Sequence, residues 1–244
     1  MNVLTLDLDD DRWMEFVASF ARSTVFHHPA WTGLMAECYG YRPFVLTLTD
    51  QSGEIAAALP MMELRSFLQV KRWISLPFSD YCSPLLRDGV SLSLLIQALN
   101  DLRRERGVPS VEVRSALQQE HGVHLSTPYV LHSLHLQTDP SVVFDGFERK
   151  FRQYPRKAER EGLTARASST REDIDIFYGI HLKTRAKLGV PVQPKRFFDL
   201  LWQRMIDKGL GTVVIVKDDS GIPISGAIVL RYRQNAMIKF SGSD

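Results

Sequence analysis

Two adjacent polar residues, Asp80 and Tyr81, lie in a loop that is bounded by Pro77 and Pro84. The loop follows a predicted strand, and loops on a rigid scaffold often carry binding and catalytic groups. A carboxylate can take up a proton and a phenol can donate a hydrogen bond, so this pair is the first candidate for catalysis. The alternative is an Asx-type turn followed by a packed tyrosine.

A second set of candidates is basic. From Arg149 to Arg196 the chain has 13 Lys and Arg against 5 Asp and Glu, whereas the remainder has 17 against 23. Such an uneven charge distribution indicates an anionic partner, although solvated helix faces are the alternative. The residues predicted to bind that partner are Arg152, Arg156, Lys157, Arg160, Tyr178 and Arg185.

Metal and nucleophile sites are not indicated. His132 and His135 are three residues apart on a predicted strand, so they point to opposite faces. Neither they nor the nearby His121 and His124 have a Cys or carboxylate at ligand spacing, and we predict no metal. A Gly-x-Ser-x-Gly motif is absent from the sequence, and its two cysteines, Cys38 and Cys82, lack a context that would activate a thiol.

The elements that must position these groups alternate between helices and strands. Periodicity and capping signals predict helices at 9–22, 29–39, 91–106, 140–162, 169–188 and 194–207. They predict strands at 44–49, 54–63, 70–76, 110–115, 129–138, 163–167, 212–217, 222–233 and 236–241. Proline inside a helix costs about 3 kcal/mol, so we expect the fourth helix to break at Pro155.

One hairpin occurs twice, at 45–61 and at 213–230. Each copy is an apolar strand, an Asp-x-Ser-Gly turn and a second apolar strand. The long interval favours two related domains over a solenoid, whose period is roughly 20 to 50 residues. We therefore predict domains at 1–139 and 140–244, and the lack of a low-complexity linker predicts that they pack together.

The bulk composition is that of a globular protein, with 44% hydrophobic and 24% charged residues among 244. The sequence has no run of 18 apolar residues and no secretory signal at its acidic start. Two cysteines cannot form a disulfide framework. We expect a cytoplasmic protein, with the inner face of the membrane as a further option.

The order of several short segments resembles the FemAB-like family. They are 26–31, 53–60, 77–81, 156–162, 177–191 and 197–198. The family includes the aminoacyltransferases of peptidoglycan interpeptide bridges. The resemblance implies an α/β (α+β) fold of two tandem GNAT-like domains, with mixed sheets flanked by helices. Asp80 and Tyr81 are the polar groups expected at an acceptor cleft, because they lie in a proline-bounded loop after a strand.

Two departures from the family pattern lead to further expectations. The second domain would be incomplete, so the strand 236–241 should be an exposed edge or pair with a second chain as a dimer. Acetyl-CoA-dependent GNAT proteins usually carry Arg/Gln-x-x-Gly-x-Gly/Ala, whose backbone amides bind the pyrophosphate. The nearest match, 206–211, lacks the first residue and follows a helix.

The resemblance implies transfer of an aminoacyl or other acyl group to an amine of a cell-envelope precursor. The alternatives are an acyl-CoA-dependent GNAT N-acyltransferase and a non-catalytic binding protein of the same fold. No tightly bound cofactor is expected, because aminoacyl-tRNA or acyl-CoA would serve as co-substrate. The partner would be an anionic substrate: a nucleotide-linked or lipid-linked precursor, tRNA or CoA.

Overall fold

The computed structural model describes residues 1–66, 68, 70–117, 123–126 and 130–244. It contains two β-sheets, each flanked by helices, which confirms the predicted mixed α/β class. None of its helices combines the length and apolar character needed to cross a membrane, in the part of the chain that is described.

The first sheet has six strands. The elements of this half are β1 (Asn2–Leu6), α1 (Asp11–Ala18), α2 (Pro29–Tyr39), β2 (Arg42–Thr49), β3 (Ile55–Arg65), β4 (Lys71–Ile74), β5 (Leu85–Leu86), α3 (Leu92–Glu105) and β6 (Ser110–Glu112). The strand order is β1-β2-β3-β4-β6, with β5 also paired to β3. Only β4 and β6 pair in parallel, so the chain leaves both at the same edge of the sheet.

The second sheet has four antiparallel strands. The elements of this half are α4 (Pro140–Asp145), α5 (Arg149–Arg160), β7 (Thr164–Ser168), α6 (Arg171–Lys187), α7 (Lys195–Leu201), a π-helical turn (Trp202–Ile206), β8 (Gly211–Lys217), β9 (Pro223–Tyr232) and β10 (Asn235–Ser243). The strand order is β10-β9-β8-β7. Since β10 is the outer strand, the predicted edge is confirmed; pairing with a second chain stays a prediction.

The two predicted hairpins have the same turn. In the β2–β3 turn, Oδ1 of Asp50 accepts hydrogen bonds from the backbone N–H groups of Ser52 and Glu54, at 2.8 and 3.1 Å. In the β8–β9 turn, Oδ1 of Asp218 accepts from two N–H groups at the same spacing, at 3.0 and 2.8 Å. The turn glycines have φ of 87° and 80°, a conformation that glycine adopts without strain. Identical turn chemistry therefore produces both hairpins.

A large hydrophobic cluster joins the two halves. Phe197 of α7 is fully buried, and its ring lies 6.2 Å from Trp31 and 6.2 Å from Tyr39 in α2. It also lies 5.8 Å from Phe240 of β10. Tandem packing is thus observed, whereas the boundary between 139 and 140 stays a prediction.

The expected break at Pro155 is wrong. Helix α5 continues through Pro155, and the interruption lies earlier, at 146–148 between α4 and α5. Gly146 ends α4 by donating its N–H to the carbonyl oxygen of Val142, 3.2 Å away. Pro155 lies on an exposed helix, where water can bind the carbonyl that loses its partner, so the cost does not fall on a buried group.

The prediction of a strand at 129–138 is also wrong for residues 130–138, which form neither a helix nor a strand. Tyr129 and His121 lie outside the described residues. The apolar side chains of Val130 and Leu136 are 80% and 68% exposed. Alternating apolar residues form a stable strand only where a neighbouring strand or helix covers them, and no sheet edge of the described structure takes up this segment.

Candidate active site

The loop that follows β4 has a strained backbone. Leu76 and Phe78 have φ of 67° and 59°, although neither is glycine. Each such conformation costs about 1 to 3 kcal/mol and persists only where the surroundings enforce it. Leu76 is fully buried and helps to offset this cost. Because strain of this kind concentrates at functional sites, the loop is the natural place to look for one.

Hydrogen bonds from the first helical segments hold this loop. The indole N–H of the buried Trp31 donates to Oγ of Ser79 at 2.9 Å. The N–H of Thr24 donates to Nδ1 of His27 at 3.0 Å, so the proton of His27 lies on Nε2, which donates to the carbonyl oxygen of Ser83 at 2.9 Å. Burial lowers the pKa of His27 and keeps the ring neutral. The loop is therefore fixed before any substrate binds.

The second half contributes one lysine to this loop. The register between β10 and β9 shifts between Ile238 and Phe240, which makes Lys239 the extra residue of a β-bulge. Bulges redirect side chains, and they occur often beside active sites. The Lys239 side chain is only 7% exposed, and its Nζ donates to Oδ2 of Asp80 at 2.8 Å. The predicted candidate Asp80 thus meets a buried cation from the other sheet.

The environment of Lys239 is apolar and aromatic. Its Nζ lies 5.6 Å from the ring centre of Phe26 and 5.5 Å from that of Phe240, within the range of cation–π attraction. Burial lowers the pKa of the Lys239 ammonium, Asp80 opposes that shift, and the charge of Arg114 adds to it. A desolvated lysine beside a carboxylate is a frequent feature of functional sites.

Asp80 remains accessible on this surface. Its side chain is 55% exposed, so an incoming amine can reach the carboxylate. Tyr81 follows in the same loop and is half-buried. The two residues stay candidates for catalysis. The cysteines do not join them as nucleophiles, since burial raises the pKa of both thiols, Cys82 being fully buried.

The basic candidates lie on the exposed helix α5. Because α5 is continuous, Arg149, Arg152, Arg156 and Arg160 fall at helical spacing on one side, which the predicted break would have divided. Their contacts are weak: Arg152 lies 3.5 Å from Asp145, and Lys157 lies 3.6 Å from Glu161. No ion pair joins these cations to the loop around Asp80, within the described residues. They form a second, separate candidate surface for an anion.

The last two candidates have structural partners. Arg185 donates from Nε and a terminal nitrogen to the carbonyl oxygen of Pro191, at 3.1 and 2.9 Å, which fixes the chain after α6. The ring of Tyr178 packs 5.1 Å from Phe198, with Nζ of Lys195 5.7 Å from its centre. Their role in binding substrate stays a prediction. Among the described residues, no group of three or more His, Cys, Asp or Glu converges as a metal site.

The sequence and the fold are similar to those of known proteins. Residues 146–244, which include α5 and Lys239, match the model of an acetyltransferase (GNAT) domain. This part of the chain is therefore similar to GNAT acetyltransferase domains. A crystal structure of FemX has a TM-score of 0.67 at 12% identity, and the match covers 100% of this chain and 81% of that chain. This confirms the FemAB-like resemblance at the level of fold.

A second solved structure has a similar fold. The structure of L-PGS from Bacillus licheniformis has a TM-score of 0.51 at 10% identity, and the match covers 98% of this chain and 69% of that chain. No curated protein matches the sequence significantly. The domain match and the fold together support acyltransferase activity, while the low identities leave the substrate open.

Lys239 is the functional candidate that sequence reasoning missed. The charge distribution pointed to the basic block between Arg149 and Arg196, and the strand 236–241 was predicted only as an edge. A single lysine inside the apolar run of Met237, Ile238 and Phe240 was the available signal. A charge at such a position needs a partner, because burying an unpaired charge is costly.

Proposed function

We propose that this protein is an acyltransferase that moves an aminoacyl or other acyl group to the amine of a cell-envelope precursor. The observation that carries the proposal is the pairing of Asp80 with the buried Lys239, where the GNAT-type sheet meets the strained loop. The envelope precursor and the aminoacyl group are inferred from the FemX-like fold.

The two side chains fit the steps of acyl transfer. The acceptor amine attacks the acyl carbonyl, a C–N bond forms, and the ester C–O or thioester C–S bond breaks. The proton lost by the amine passes to the carboxylate of Asp80 and from there to the leaving oxygen or sulfur. The ammonium of Lys239 stabilises the negative charge that develops on the carbonyl oxygen, an effect that is strongest where water is excluded.

The segment 206–211 argues against acyl-CoA as the donor. A CoA pyrophosphate would need free backbone N–H groups there. The N–H of Gly209 instead donates to the carbonyl oxygen of Ile206 at 3.0 Å, and that of Leu210 donates to Met205 at 2.8 Å. These amides end the preceding helical turn. A donor without this pyrophosphate, such as aminoacyl-tRNA, does not need these amides.

The test compares donors directly. The purified protein is given aminoacyl-tRNA or acetyl-CoA, each with a nucleotide-linked peptide that carries a free amine, and acyl transfer to the peptide is measured. We expect transfer from aminoacyl-tRNA that weakens as salt rises. Asp80→Asn and Lys239→Met should each abolish transfer. The matched control is Lys208→Met, which changes an exposed lysine that pairs with its neighbour Asp207 and should leave the protein active.

The alternatives give different results in the same assay. Transfer from acetyl-CoA alone would favour the GNAT N-acyltransferase. Binding of the peptide without transfer from either donor would favour the non-catalytic protein. Unchanged turnover in Lys239→Met would remove the proposed role of the Asp80–Lys239 pair.

A further inference from the structure

Helix α5 is amphipathic, with two chemically distinct sides. Phe151, Tyr154 and Ala158 follow one another at helical spacing on one side, while the opposite side carries arginines. The helix has six Lys and Arg against one Glu, at position 159. A surface helix of a soluble protein normally turns its apolar side to the core.

The apolar side of α5 is not turned to the core. Neither α4 nor α5 buries a single side chain, and every residue of both helices is described. Phe151 and Tyr154 are 49% and 64% exposed, and their rings contact each other edge to face at 6.3 Å. Aromatic residues this exposed on a structured helix indicate a surface that binds something.

Helix α4 carries a second apolar surface. A depression of about 410 Å³ lies beside it and is lined by Leu136, Gln137, Pro140, Val143, Phe144 and Phe147. The guanidinium of Arg156 lies 5.8 Å from the ring centre of Phe144, so α4 lies against the side of α5 that carries the arginines. The apolar side chains of α4 and α5 therefore lie on either side of these cations. We call the exposed side chains of the two helices together the α4–α5 surface.

We propose that the α4–α5 surface docks on an anionic phospholipid surface. The apolar side chains would enter the boundary between headgroups and acyl chains, while the cations bind lipid phosphates. Long basic side chains suit this position because their stems lie along apolar groups, as Lys150 does with its Nζ 4.9 Å from the ring centre of Phe151. This inference does not depend on acyl transfer.

Charge and shape together favour lipid over nucleic acid. An RNA would engage the cations and could stack on Phe151 or Tyr154. It would leave the aliphatic lining at Leu136 and Val143 in water, and these residues gain only from an apolar environment. Lipid satisfies both the positive charge and the aliphatic lining.

Vesicle sedimentation of the whole protein tests the proposal. We expect binding to vesicles of phosphatidylglycerol and phosphatidylcholine, little binding to phosphatidylcholine alone, and weaker binding in high salt. The double variant Phe151→Ser and Tyr154→Ser should bind about tenfold less, since it removes most of the inserted aromatic area. Its side chains are exposed, so circular dichroism should show an intact fold.

The control removes apolar surface elsewhere. Leu188 and Ile222 are 65% and 58% exposed and lie outside the α4–α5 surface. The variant Leu188→Ser and Ile222→Ser should bind vesicles as the unchanged protein does. A Phe151→Trp probe should shift its fluorescence to the blue only with the anionic vesicles.

Three outcomes would overturn the proposal. The first is that the protein binds neutral and anionic vesicles equally. The second is that the Leu188 and Ile222 control variant loses as much vesicle binding as the Phe151 and Tyr154 variant. The third is that the Phe151 and Tyr154 variant binds vesicles as well as the unchanged protein. If a small RNA hairpin binds through Phe151 while vesicles do not bind, the surface is a nucleic-acid site instead.

Discussion

The ammonium of Lys239 lies 2.8 Å from the carboxylate of Asp80, although the two residues are 159 positions apart. One belongs to the bulge of the outer strand β10, and the other belongs to the strained loop after β4. The contact joins the two halves of the molecule beside the aromatic rings of Phe26 and Phe240. Its chemistry should therefore affect both stability and turnover.

The first prediction concerns Lys239→Met. Lys239→Met removes the cost of burying the ammonium, and the remaining Asp80 carboxylate is 55% exposed and stays hydrated. We therefore expect the unfolding free energy at neutral pH to stay the same or rise. Burial lowers the pKa of Lys239 below its unfolded value near 10.4. Below the folded-state pKa, burial of the charged ammonium destabilises the folded protein to its full extent. This destabilisation decreases as pH rises towards 10.4, because Lys239 then becomes neutral in both the folded and the unfolded state.

Urea unfolding at neutral pH and near pH 10 measures this difference. If the Lys239→Met variant has a higher free energy of unfolding than the unchanged protein at neutral pH, this difference should be smaller near pH 10. The exposed Lys208→Met should show no such trend. A Lys239→Met protein that is several kcal/mol less stable at neutral pH would show that the ion pair stabilises the fold.

Ser79→Ala tests the anchor of the strained loop. The change leaves the indole N–H of the buried Trp31 without its acceptor, and an unsatisfied buried donor costs about 1 to 3 kcal/mol. Thermal or urea unfolding should show this loss. Ser83→Ala is the matched control, because Ser83 accepts from His27 through its backbone carbonyl, which alanine retains. If Ser79→Ala and Ser83→Ala have the same free energy of unfolding, the hydrogen bond from Trp31 to Ser79 does not stabilise the loop.

Acid should destabilise the protein through His27. Its pKa is lowered by burial, so the folded state holds the neutral ring while the unfolded state binds a proton below about pH 6.5. Above that pH, His27 does not lower the free energy of unfolding. As pH falls towards the folded-state pKa, protonation of the unfolded state lowers the free energy of unfolding. The slope is at most about 1.36 kcal/mol per pH unit for one group.

His27→Gln should flatten this dependence when unfolding free energy is measured between about pH 7 and pH 5. Some slope will remain, because burial also lowers the pKa of His28 and His181. An unchanged slope in His27→Gln would mean that His27 does not titrate in this range.

Two glycine substitutions should act in opposite directions. Gly179 lies in α6 with open space where a Cβ methyl group would stand, so Gly179→Ala should stabilise by roughly 0.5 to 1 kcal/mol. A Cβ at Gly226 in β9 would lie 3.1 Å from the Phe177 ring and 3.0 Å from the carbonyl oxygen of Val214, so Gly226→Ala should destabilise. Melting temperatures of the pair give the comparison; changes of the same sign would contradict the packing of α6 on β9.

The hairpins were predictable because their information is local. An Asp that accepts from two following amides, with a glycine at positive φ, is complete within a few residues. The same holds for α1, where the buried side chains of Trp13, Phe16 and Val17 follow the predicted spacing. Local signals of this kind determined most elements and, through their order, the fold class.

The predictions that were wrong or missing concern residues whose conformation or burial depends on distant parts of the chain. Pro155 remains in a helix because its surroundings are exposed, and 130–138 form no strand because no sheet edge covers them. Lys239 was not predictable because its burial depends on Asp80 and Phe26, which belong to the other half of the chain. The loop position of Asp80 is a local signal, whereas its pairing with Lys239 is a product of the tertiary fold.

The cluster around Phe197 has a consequence for how the molecule comes apart. Since α2 supplies Trp31 and the second half supplies Phe197 and Phe240, neither sheet has a complete core without the other. Unfolding should therefore be a single cooperative transition by calorimetry, with both halves melting together. A fragment that ends after β6 would expose Trp31 and Met35 to water and should aggregate.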